Sequence, residues 1–423
     1  MVRCVMSLIF LLWSGHWPKN YDRCQPSLVI RTLLFSTLYP SSVRPNHGIF
    51  VETRLRHLLT SGEVETHVIA PVPWFPFKHK RFGEYAKHAA VPAHEVRNGI
   101  RVEHPRYLLL PKIGMNSAPF SLARAGLTAA NRLIAEGYDF DLIDAHYFYP
   151  DGVAATIMGK ALNKPVVITA RGTDINLIPQ YDKPRKLILQ AAEDCAAIIT
   201  VSAALKNAIV GFGGTAQKIT VLRNGVDLDL FKPMERSEAR ARFGVSRFAI
   251  ASVGNLVPNK GHQHAIGALT LLPDAELLIA GQGAYKKELK ALADRIGVAD
   301  RVKFLGLLPQ DELRWLYSAA DALVLASERE GWPNVLLEAM ACGTPVIASN
   351  VGGIPEMVAS SAAGVLLQAS DHFGIAQAAT DLRAQLPDRN ATRAYAEQFG
   401  WGATTAGQIK IFRQLTPPME NHA

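Results

Sequence analysis

Short apolar runs rich in valine, isoleucine and leucine alternate along the chain with longer segments of helical periodicity. A parallel strand that is buried on both faces has this continuous apolar character, and a helix then returns the chain to the start of the next strand. The alternation therefore predicts parallel βαβ units with helices on both faces of a sheet. In the first half of the chain it predicts strands at Thr32–Ser36, Val64–Ala70, Leu142–Ala145, Val166–Thr169 and Ile198–Val201.

A second set of strands follows the turn-rich stretch Arg223–Pro233. Single hydrophobic cores stop growing at roughly 250–300 residues, and the chain has 423, so we expect two domains. The predicted boundaries are 28–225 for an N-terminal domain and 226–395 for a C-terminal domain, with a helix in 396–423 that returns to the first. The strands of the second set are predicted at Ala249–Val253, Glu276–Ala280, Val302–Phe304, Ala322–Ala326 and Pro345–Ala348.

The predicted architecture is α/β, with two Rossmann-like doubly wound domains that face each other across a cleft. Such sheets bind their ligands at the carboxyl ends of the strands. Functional residues are therefore expected at the strand ends that meet in the cleft.

The formal net charge of +8 favours an acidic partner. Basic residues outnumber acidic ones between Lys78 and Lys112, directly after the aromatic stretch Trp74–Phe77. This order is typical of contact with an anionic bilayer surface, and a solvated loop with a few buried rings explains it equally well. The chain carries no RNA- or DNA-binding signature, so nucleic acid is not an expected partner.

The four cysteines have no metal-ligand spacing, so neither a zinc site nor a disulfide framework is indicated and a reducing cytosol fits. Residues 1–27 contain the apolar run Ser7–Trp13, which is short and is followed by no good small-residue cleavage site. We therefore expect residues 1–27 to be a dispensable extension. The expected location is cytoplasmic, with membrane contact limited to a peripheral one.

The segment Ala326–Pro345 joins a predicted buried strand to a predicted helix. Asn334 is a residue type that caps helices. Such a cap would leave the amides of Val335 and Leu336 unpaired at the positive end of the helix dipole, where a diphosphate can bind.

Two glutamates eight positions apart flank this junction. Glu338 is predicted in the first turn of the helix, within reach of two ribose hydroxyls, and Glu330 on the preceding loop reaches the other end of the ligand. Isolated glutamates are mostly solvated surface residues, but the neighbouring Gly331 and Pro333 argue against that reading here. The pair is expected to bracket a nucleotide sugar.

This arrangement resembles the paired-glutamate signature of the retaining glycosyltransferases of family 4, the group 1 glycosyl transferases with the GT-B fold. The resemblance covers nearly the whole chain from about residue 29 and extends to bacterial exopolysaccharide enzymes. Several motifs carry it together: Tyr39-Pro40 with Pro45–Phe50, Arg171–Asp174, Arg223–Asp227, Val253–Gly261 and the Glu330–Glu338 segment.

The resemblance implies that Glu330 contacts the hydroxyls of the donor sugar, Glu338 the ribose and Lys260 the diphosphate. A mobile ammonium at Lys260 can neutralise a leaving phosphate. Gly48 is expected to let the backbone approach the phosphates from the other domain, with an ordinary turn glycine as the alternative. Leu308 is placed to offer its backbone to the nucleobase.

The chain departs from the family pattern at two positions, one in the motif before the conserved lysine and one in a motif beside the reacting carbon. Most relatives have an arginine five residues before the conserved lysine, where this chain has Asn255, and commonly a histidine where it has Arg171. We hypothesise that Arg171 supplies the charge that Asn255 lacks. His146 either meets an acceptor or is a buried structural histidine, and Asp174 orients Arg171, binds the acceptor or caps the following turn.

The implied reaction moves a hexose-type sugar from a UDP or GDP donor to a hydroxyl, with the anomeric configuration retained. The resemblance also implies that no metal or other cofactor is needed. The expected acceptor is a glycan or lipid-linked glycan rather than a soluble metabolite.

Three other functions are alternatives to this one. A nucleotide-sugar epimerase of the same fold would use the donor without an acceptor, and a catalytically weakened nucleotide-sugar-binding protein would explain the changes at Asn255 and Arg171. A nicotinamide-dependent oxidoreductase is disfavoured because no Gly-x-Gly-x-x-Gly follows the first strand, and Gly281-Gln-Gly283 is too short to serve.

Overall fold

The computed structural model describes residues 29–109 and 114–416. The predicted extension at residues 1–27 and Lys112 of the basic stretch lie outside the described residues. The described chain forms two α/β domains, each built on its own open sheet. This confirms the predicted fold class.

The first domain contains an eight-stranded sheet. Its strands are β1 (Ile30–Phe35), β2 (Val64–Ile69), β4 (His94–Arg97), β5 (Ile100–Glu103), β7 (Leu142–His146), β8 (Val166–Ala170), β9 (Ala197–Thr200) and β10 (Ile219–Val221), while β3 (Val72–Pro73) and β6 (Arg106–Tyr107) form a separate short pair. The order across the large sheet is β10-β9-β8-β7-β1-β2-β5-β4. All neighbours are parallel except β4 and β5.

The second domain has a six-stranded parallel sheet. Its strands are β11 (Phe248–Val253), β12 (Ala275–Ala280), β13 (Val302–Gly306), β14 (Ala322–Leu325), β15 (Val346–Ser349) and β16 (Gly364–Leu367). Their order is β13-β12-β11-β14-β15-β16. The direction of strand addition reverses between β11 and β14, and in doubly wound sheets such a reversal opens a crevice for ligands.

Helices cover the faces of both sheets. In the first domain they are α1 (Ile49–Leu59), α2 (Glu84–Ala90), α3 (Ala118–Ala135), α4 (Val153–Leu162), α5 (Thr173–Asn176), α6 (Asp182–Asp194) and α7 (Ala203–Gly211). In the second they are α8 (Arg236–Phe243), α9 (His262–Ala268), α10 (Lys286–Arg295), α11 (Gln310–Ala319), α12 (Asn334–Ala341), α13 (Ile354–Met357), α14 (His372–Ala384) and α15 (Arg389–Glu397). A last helix, α16 (Gly402–Leu415), follows.

All ten predicted strands are present, with ends that differ from the prediction by at most two residues. The apolar pattern located them because the central strands are covered on both faces: every residue of β7, β8 and β12 is buried. The prediction missed strands at or near the sheet edges, including the antiparallel pair β4 and β5. These two are joined by Asn98 and Gly99, whose φ angles of 49° and 80° suit a tight hairpin turn.

The chain crosses between the domains twice, and the two crossings touch. The Val226 amide donates to the Phe399 carbonyl at 2.9 Å, and a Cβ added to Gly225 would lie 2.7 Å from the Trp401 nitrogen. Beyond the second crossing, α16 packs on the first domain, where Phe412 is fully buried in a core cluster with Leu34. The second domain is therefore held to the first by two adjacent connections.

Among the described residues, no helix is both long enough and apolar enough to span a bilayer.

Candidate active site

A cleft of about 570 Å³ lies between the two domains and is lined from both sides. The first domain contributes loops that follow β1, β7 and β8, including Leu38, Tyr147 and Arg171. The second contributes loops that follow β11, β12, β13 and β14. The carboxyl ends of both sheets thus open onto one space, as expected for facing doubly wound domains.

Most of the predicted site residues line this cleft. They are Arg171, Asn255, Lys260, Leu308, Glu330, Gly331, Asn334, Val335 and Glu338. Gly48, His146, Asp174 and Leu336 are not among the lining residues.

Lys260 and Glu330 meet in the cleft: the lysine Nζ lies 2.5 Å from the carboxylate Oε1. Lys260 closes a 3-10 turn after β11, and Gly261 then adopts a φ of 75°. Only glycine fits there, because a Cβ would lie 2.2 Å from the Ala326 carbonyl oxygen at the end of β14. The turn therefore packs against the loop that carries Glu330.

Glu338 is partly buried on α12, where its Oε2 accepts a hydrogen bond of 2.9 Å from the Tyr317 hydroxyl. Burial raises the pKa of the Glu338 carboxyl from 4.5 to about 7, although the bond from Tyr317 acts in the opposite direction. The prediction that Glu338 falls in the first helical turn is wrong by one turn, because α12 begins at Asn334.

The predicted capping role of Asn334 is also wrong. Pro333 takes the N-cap position with extended backbone, and no side chain caps the helix. The Asn334 Oδ1 instead accepts a hydrogen bond of 3.3 Å from the side-chain amide of Asn224. The Leu336 amide donates to the Pro333 carbonyl at 3.1 Å, so it is not free for a phosphate. Val335 lines the cleft at the start of the helix. Of the two backbone amides predicted to meet a diphosphate, only that of Val335 keeps this position.

His146 is buried behind Arg171, with 1% of its surface exposed. One nitrogen, Nε2, lies 3.1 Å from Asp144 Oδ2, and the other, Nδ1, contacts the Arg171 guanidinium. Burial lowers the pKa of His146 to about 4, so the ring is neutral at physiological pH. The buried ring does not line the cleft, so of its two predicted roles the structural one fits.

Asp174 is fully buried and its carboxylate accepts from three backbone amides. These belong to Phe148 at 2.7 Å, Arg171 at 3.1 Å and Gly172 at 2.7 Å. Burial nevertheless raises the pKa of the Asp174 carboxyl. Among its predicted roles, the structure favours holding the turn after β8, which fixes the backbone from which Arg171 projects.

Gly48 serves the turn before α1 rather than the cleft. It has a φ of 69°, and a Cβ there would lie 2.2 Å from the Leu38 carbonyl oxygen. The alternative of a turn glycine therefore fits, while its neighbours Ile49 and Phe50 line the cleft.

The two domains meet tightly at Gly331. A Cβ added to this residue would lie 2.1 Å from the Arg171 carbonyl oxygen. The Asn176 side chain donates to the Glu330 carbonyl at 3.1 Å across the same boundary. Backbone contact between the domains thus lies directly beside the Lys260–Glu330 pair.

Asn224, which was not predicted as a site residue, connects both sides of the cleft. Its Oδ1 accepts from Arg171 at 3.0 Å and from Arg54 at 3.4 Å, and its carbonyl accepts from the Trp332 indole at 2.9 Å. Together with its bond to Asn334, these contacts tie the first domain to the start of α12. The motif Arg223–Asp227 gave the signal, but the sequence alone assigned no contact to it.

Among the described residues, no group of three or more histidine, cysteine, aspartate or glutamate side chains is arranged to hold a metal ion.

Two doubly wound sheets whose strand ends line a common cleft define the GT-B fold. Solved structures with this fold superpose over most of the chain. Sucrose-phosphate synthase from Thermosynechococcus elongatus has a TM-score of 0.75 at 20% identity, covering 91% of this chain and 98% of that one. HepE from Anabaena in complex with UDP has a TM-score of 0.69 at 21% identity, covering 91% and 100%.

Sequence comparison identifies the family to which the chain belongs. The model of Glycosyltransferase Family 4 matches residues 50–230, and that of Glycosyl transferases group 1 matches residues 235–399. The putative teichuronic acid biosynthesis glycosyltransferase TuaC of Bacillus subtilis is 30% identical over 78% of this chain and 83% of its own length. The chain belongs to this glycosyltransferase family, which confirms the predicted class of enzyme.

Another relative matches over a shorter region. The D-inositol 3-phosphate glycosyltransferase of Mycolicibacterium smegmatis is 37% identical over 44% of this chain and 45% of its own length.

Proposed function

We propose that the cleft binds a UDP- or GDP-sugar and transfers its sugar, with retention of anomeric configuration, to a hydroxyl of a glycan or glycolipid. The observation that carries the proposal is the 2.5 Å contact between Lys260 and Glu330 near the start of α12. A cation suited to a leaving phosphate and a carboxylate suited to sugar hydroxyls are thereby held at one point of the cleft.

In this proposal the diphosphate lies between Lys260 and the start of α12, where the Val335 amide and the helix dipole favour an anion. Glu338 accepts from the ribose hydroxyls and Glu330 from the sugar, while Leu308 borders the nucleobase. We favour UDP as the nucleotide because HepE, which shares the fold, was solved with UDP and with UDP-glucose.

The proposed chemistry depends on stabilising the leaving group. The bond from the anomeric carbon to the diphosphate oxygen breaks, and that oxygen keeps the electron pair beside Lys260. The acceptor oxygen bonds to the anomeric carbon on the same face, and its proton passes to an oxygen of the departing phosphate. This route needs neither a side-chain base nor a metal ion, and His146 is too buried to act as the base.

Arg171 is proposed to supply the charge that Asn255 does not. Its guanidinium lines the cleft, and its hydrogen-bond partners, Asn224 and the neutral His146, carry no negative charge. Its buried Nε has no partner among the described residues. A buried cation with neutral partners gains from a bound anion, so a diphosphate in the cleft would benefit from its field.

Replacement of Arg171 tests this part of the proposal. Arg171→Ala is expected to lower both donor affinity and turnover at least tenfold, because one of the cations facing the diphosphate is lost. Arg329→Ala, which removes a cleft arginine that approaches Glu328 at 3.9 Å, is the matched control. Unchanged turnover and donor affinity in Arg171→Ala would contradict the proposed compensation.

The acceptor is proposed to be a growing polysaccharide presented at a membrane. One support is the likeness to TuaC, whose name refers to teichuronic acid biosynthesis. The other is an exposed apolar surface on the first domain, formed by four aromatic residues and one leucine: Trp74, Phe77, Tyr85, Leu108 and Phe120, which are 45–59% exposed.

Two hydrogen bonds donated by backbone amides connect the segments that carry this apolar surface. The Trp74 amide donates to the Tyr107 carbonyl at 2.8 Å, and the Leu108 amide donates to the Ser121 hydroxyl at 2.9 Å. The exposed cations at its side are Lys78, Lys80, Arg81 and Lys87. Exposed rings beside exposed cations are suited to the interface of an anionic bilayer, and Trp74 and Phe77 are not the buried rings of the alternative explanation.

A donor screen tests the proposed function. Purified protein is incubated with UDP- and GDP-sugars, with and without lipid-linked glycan acceptors, and the products are analysed for transfer and anomeric configuration. We expect slow donor hydrolysis with one nucleotide sugar and transfer when an acceptor is present. Conversion of the nucleotide sugar alone into its epimer would identify an epimerase, and an absence of turnover with intact binding would identify a binding protein.

A further inference from the structure

Lys260 and Glu330 neutralise each other in the cleft. Their charged atoms are 2.5 Å apart, and the side chains are only 23% and 9% exposed. The ammonium that is proposed to meet a diphosphate therefore already has a carboxylate partner. Any phosphate that approaches Lys260 also approaches the negative charge of Glu330.

The backbone on both sides of this ion pair is fixed. The Glu328 amide donates to the Asn259 carbonyl at 3.0 Å, which joins the two loops one or two residues from the charged side chains. The Glu330 carbonyl is held by Asn176 at 3.1 Å, and Gly352 packs so closely on it that a Cβ would lie 1.9 Å away. Because neither loop is free to withdraw, the carboxylate stays near whatever Lys260 binds.

We propose that Glu330 makes the cleft discriminate between the intact nucleotide sugar and the nucleoside diphosphate that remains after transfer. The inference rests on the proposed function and assigns a specificity role within the same site. When the donor is bound, sugar hydroxyls donate to Glu330 and compensate it for sharing Lys260 with the diphosphate. When only the nucleoside diphosphate is bound, Glu330 shares Lys260 with a phosphate of like charge and has no sugar hydroxyls to compensate it.

The consequence for turnover is a bias toward product release. Transfer removes the hydroxyl donors from Glu330, and the re-formation of its contact with Lys260 then competes with the diphosphate. Glu338 is not suited to the same role because it is bonded to Tyr317, away from Lys260. Arg329 does not relieve the repulsion either, since its carboxylate contact is with Glu328.

Nucleotide binding to the full-length protein tests the inference. Titration calorimetry with UDP, GDP and the corresponding 2-fluoro nucleotide sugars, which resist transfer, gives the ratio of nucleotide to donor dissociation constants. Glu330→Gln keeps the size of the side chain and removes its charge. We expect it to bind the nucleoside diphosphate about tenfold more tightly than the wild type and to bind the nucleotide sugar no more tightly.

Glu328→Gln is the matched control. It removes the same charge two residues before Glu330, from a side chain that is 64% exposed. We expect its ratio of dissociation constants to equal that of the wild type. Glu330→Asp retains the charge and is expected to keep the discrimination at least in part, which gives a second test if the glutamine variant is poorly folded.

Two outcomes would overturn the inference: a nucleoside diphosphate affinity in Glu330→Gln that is equal to or below that of the wild type, or an equal gain in Glu328→Gln. Failure of the wild type to bind any nucleotide would instead refute the proposed function. The two failures are therefore distinguishable.

Discussion

Glu338→Gln is expected to make the protein more stable at alkaline pH while weakening donor binding. The wild-type carboxyl has a pKa of about 7 in the fold, compared with an ordinary value of 4.5, because burial disfavours its charged form. The folded protein therefore binds more protons at this site than the unfolded chain between these two values. The contribution of this carboxyl to the free energy of unfolding is fully present below pH 4.5 and is lost as the pH rises through 7.

The size of the effect follows from the two pKa values. A shift of one unit corresponds to about 1.4 kcal/mol, and between pH 5 and pH 8 the linkage relation gives the wild type a loss of about 2.5 kcal/mol. This is an upper figure, because Glu338 also lines the cleft and retains some access to water. The glutamine carries no charge at either pH, so the gap between variant and wild type should widen by about 1–2.5 kcal/mol.

Chemical denaturation of both proteins at pH 5 and pH 8 measures this gap. Every other titrating group is shared, so its contribution cancels in the difference. Glu328→Gln, at an exposed site, should show no pH-dependent gap. A gap for Glu338→Gln that is equal at the two pH values would refute the reasoning, and an unchanged donor affinity would show that the ribose contact is misassigned.

Three further predictions concern packing and surface. Gly331→Ala, whose Cβ would meet the Arg171 carbonyl, should lower kcat/KM at least tenfold, with Gly211→Ala as the uncrowded control. Gln408→Leu removes hydrogen bonds to Arg54 and Asp144 and should lower the free energy of unfolding, measured by chemical denaturation, by about 2–3 kcal/mol. Gln414→Leu, at an exposed position, should leave the free energy of unfolding unchanged. The pair Trp74→Ser and Phe77→Ser should abolish sedimentation with phosphatidylglycerol vesicles, which Val96→Ser, 69% exposed on β4, should leave unchanged; equal sedimentation would contradict the membrane contact.

Strands and loop residues whose positions depend only on the local sequence were predictable. The strands that were located are covered on both faces, so their apolar runs are continuous whatever their neighbours in the sheet. The loop residues Lys260 and Glu330 follow β11 and β14, which flank the point where strand order reverses. Position at a strand end was therefore enough to bring them to one cleft. The Asn98-Gly99 hairpin also has a local signal, since this dipeptide suits a tight turn, but it is not part of a βαβ unit.

Features that depend on distant partners were not predictable. Asn334 has the side chain of a helix cap, but Asn224, 110 residues earlier, engages it instead. His146 ends strand β7, at the edge of the sheet where site residues are expected, yet it is buried against Arg171. Asp144 accepts a hydrogen bond from Gln408, 264 positions later in the chain, as well as contacting the nearby His146. Pairing at such separations is set by the folded arrangement of the domains, which residue type and spacing do not encode.

The contact between the two interdomain crossings has an evolutionary consequence. Because residues 226 and 399 are hydrogen-bonded neighbours, the second domain enters and leaves at almost the same point, like an insertion in a surface loop of the first. It could be exchanged as a cassette with the corresponding domain of a relative without altering the path of the host chain. Such an exchange would replace the side of the cleft that carries Lys260 and Glu330 and keep the side that carries Arg171.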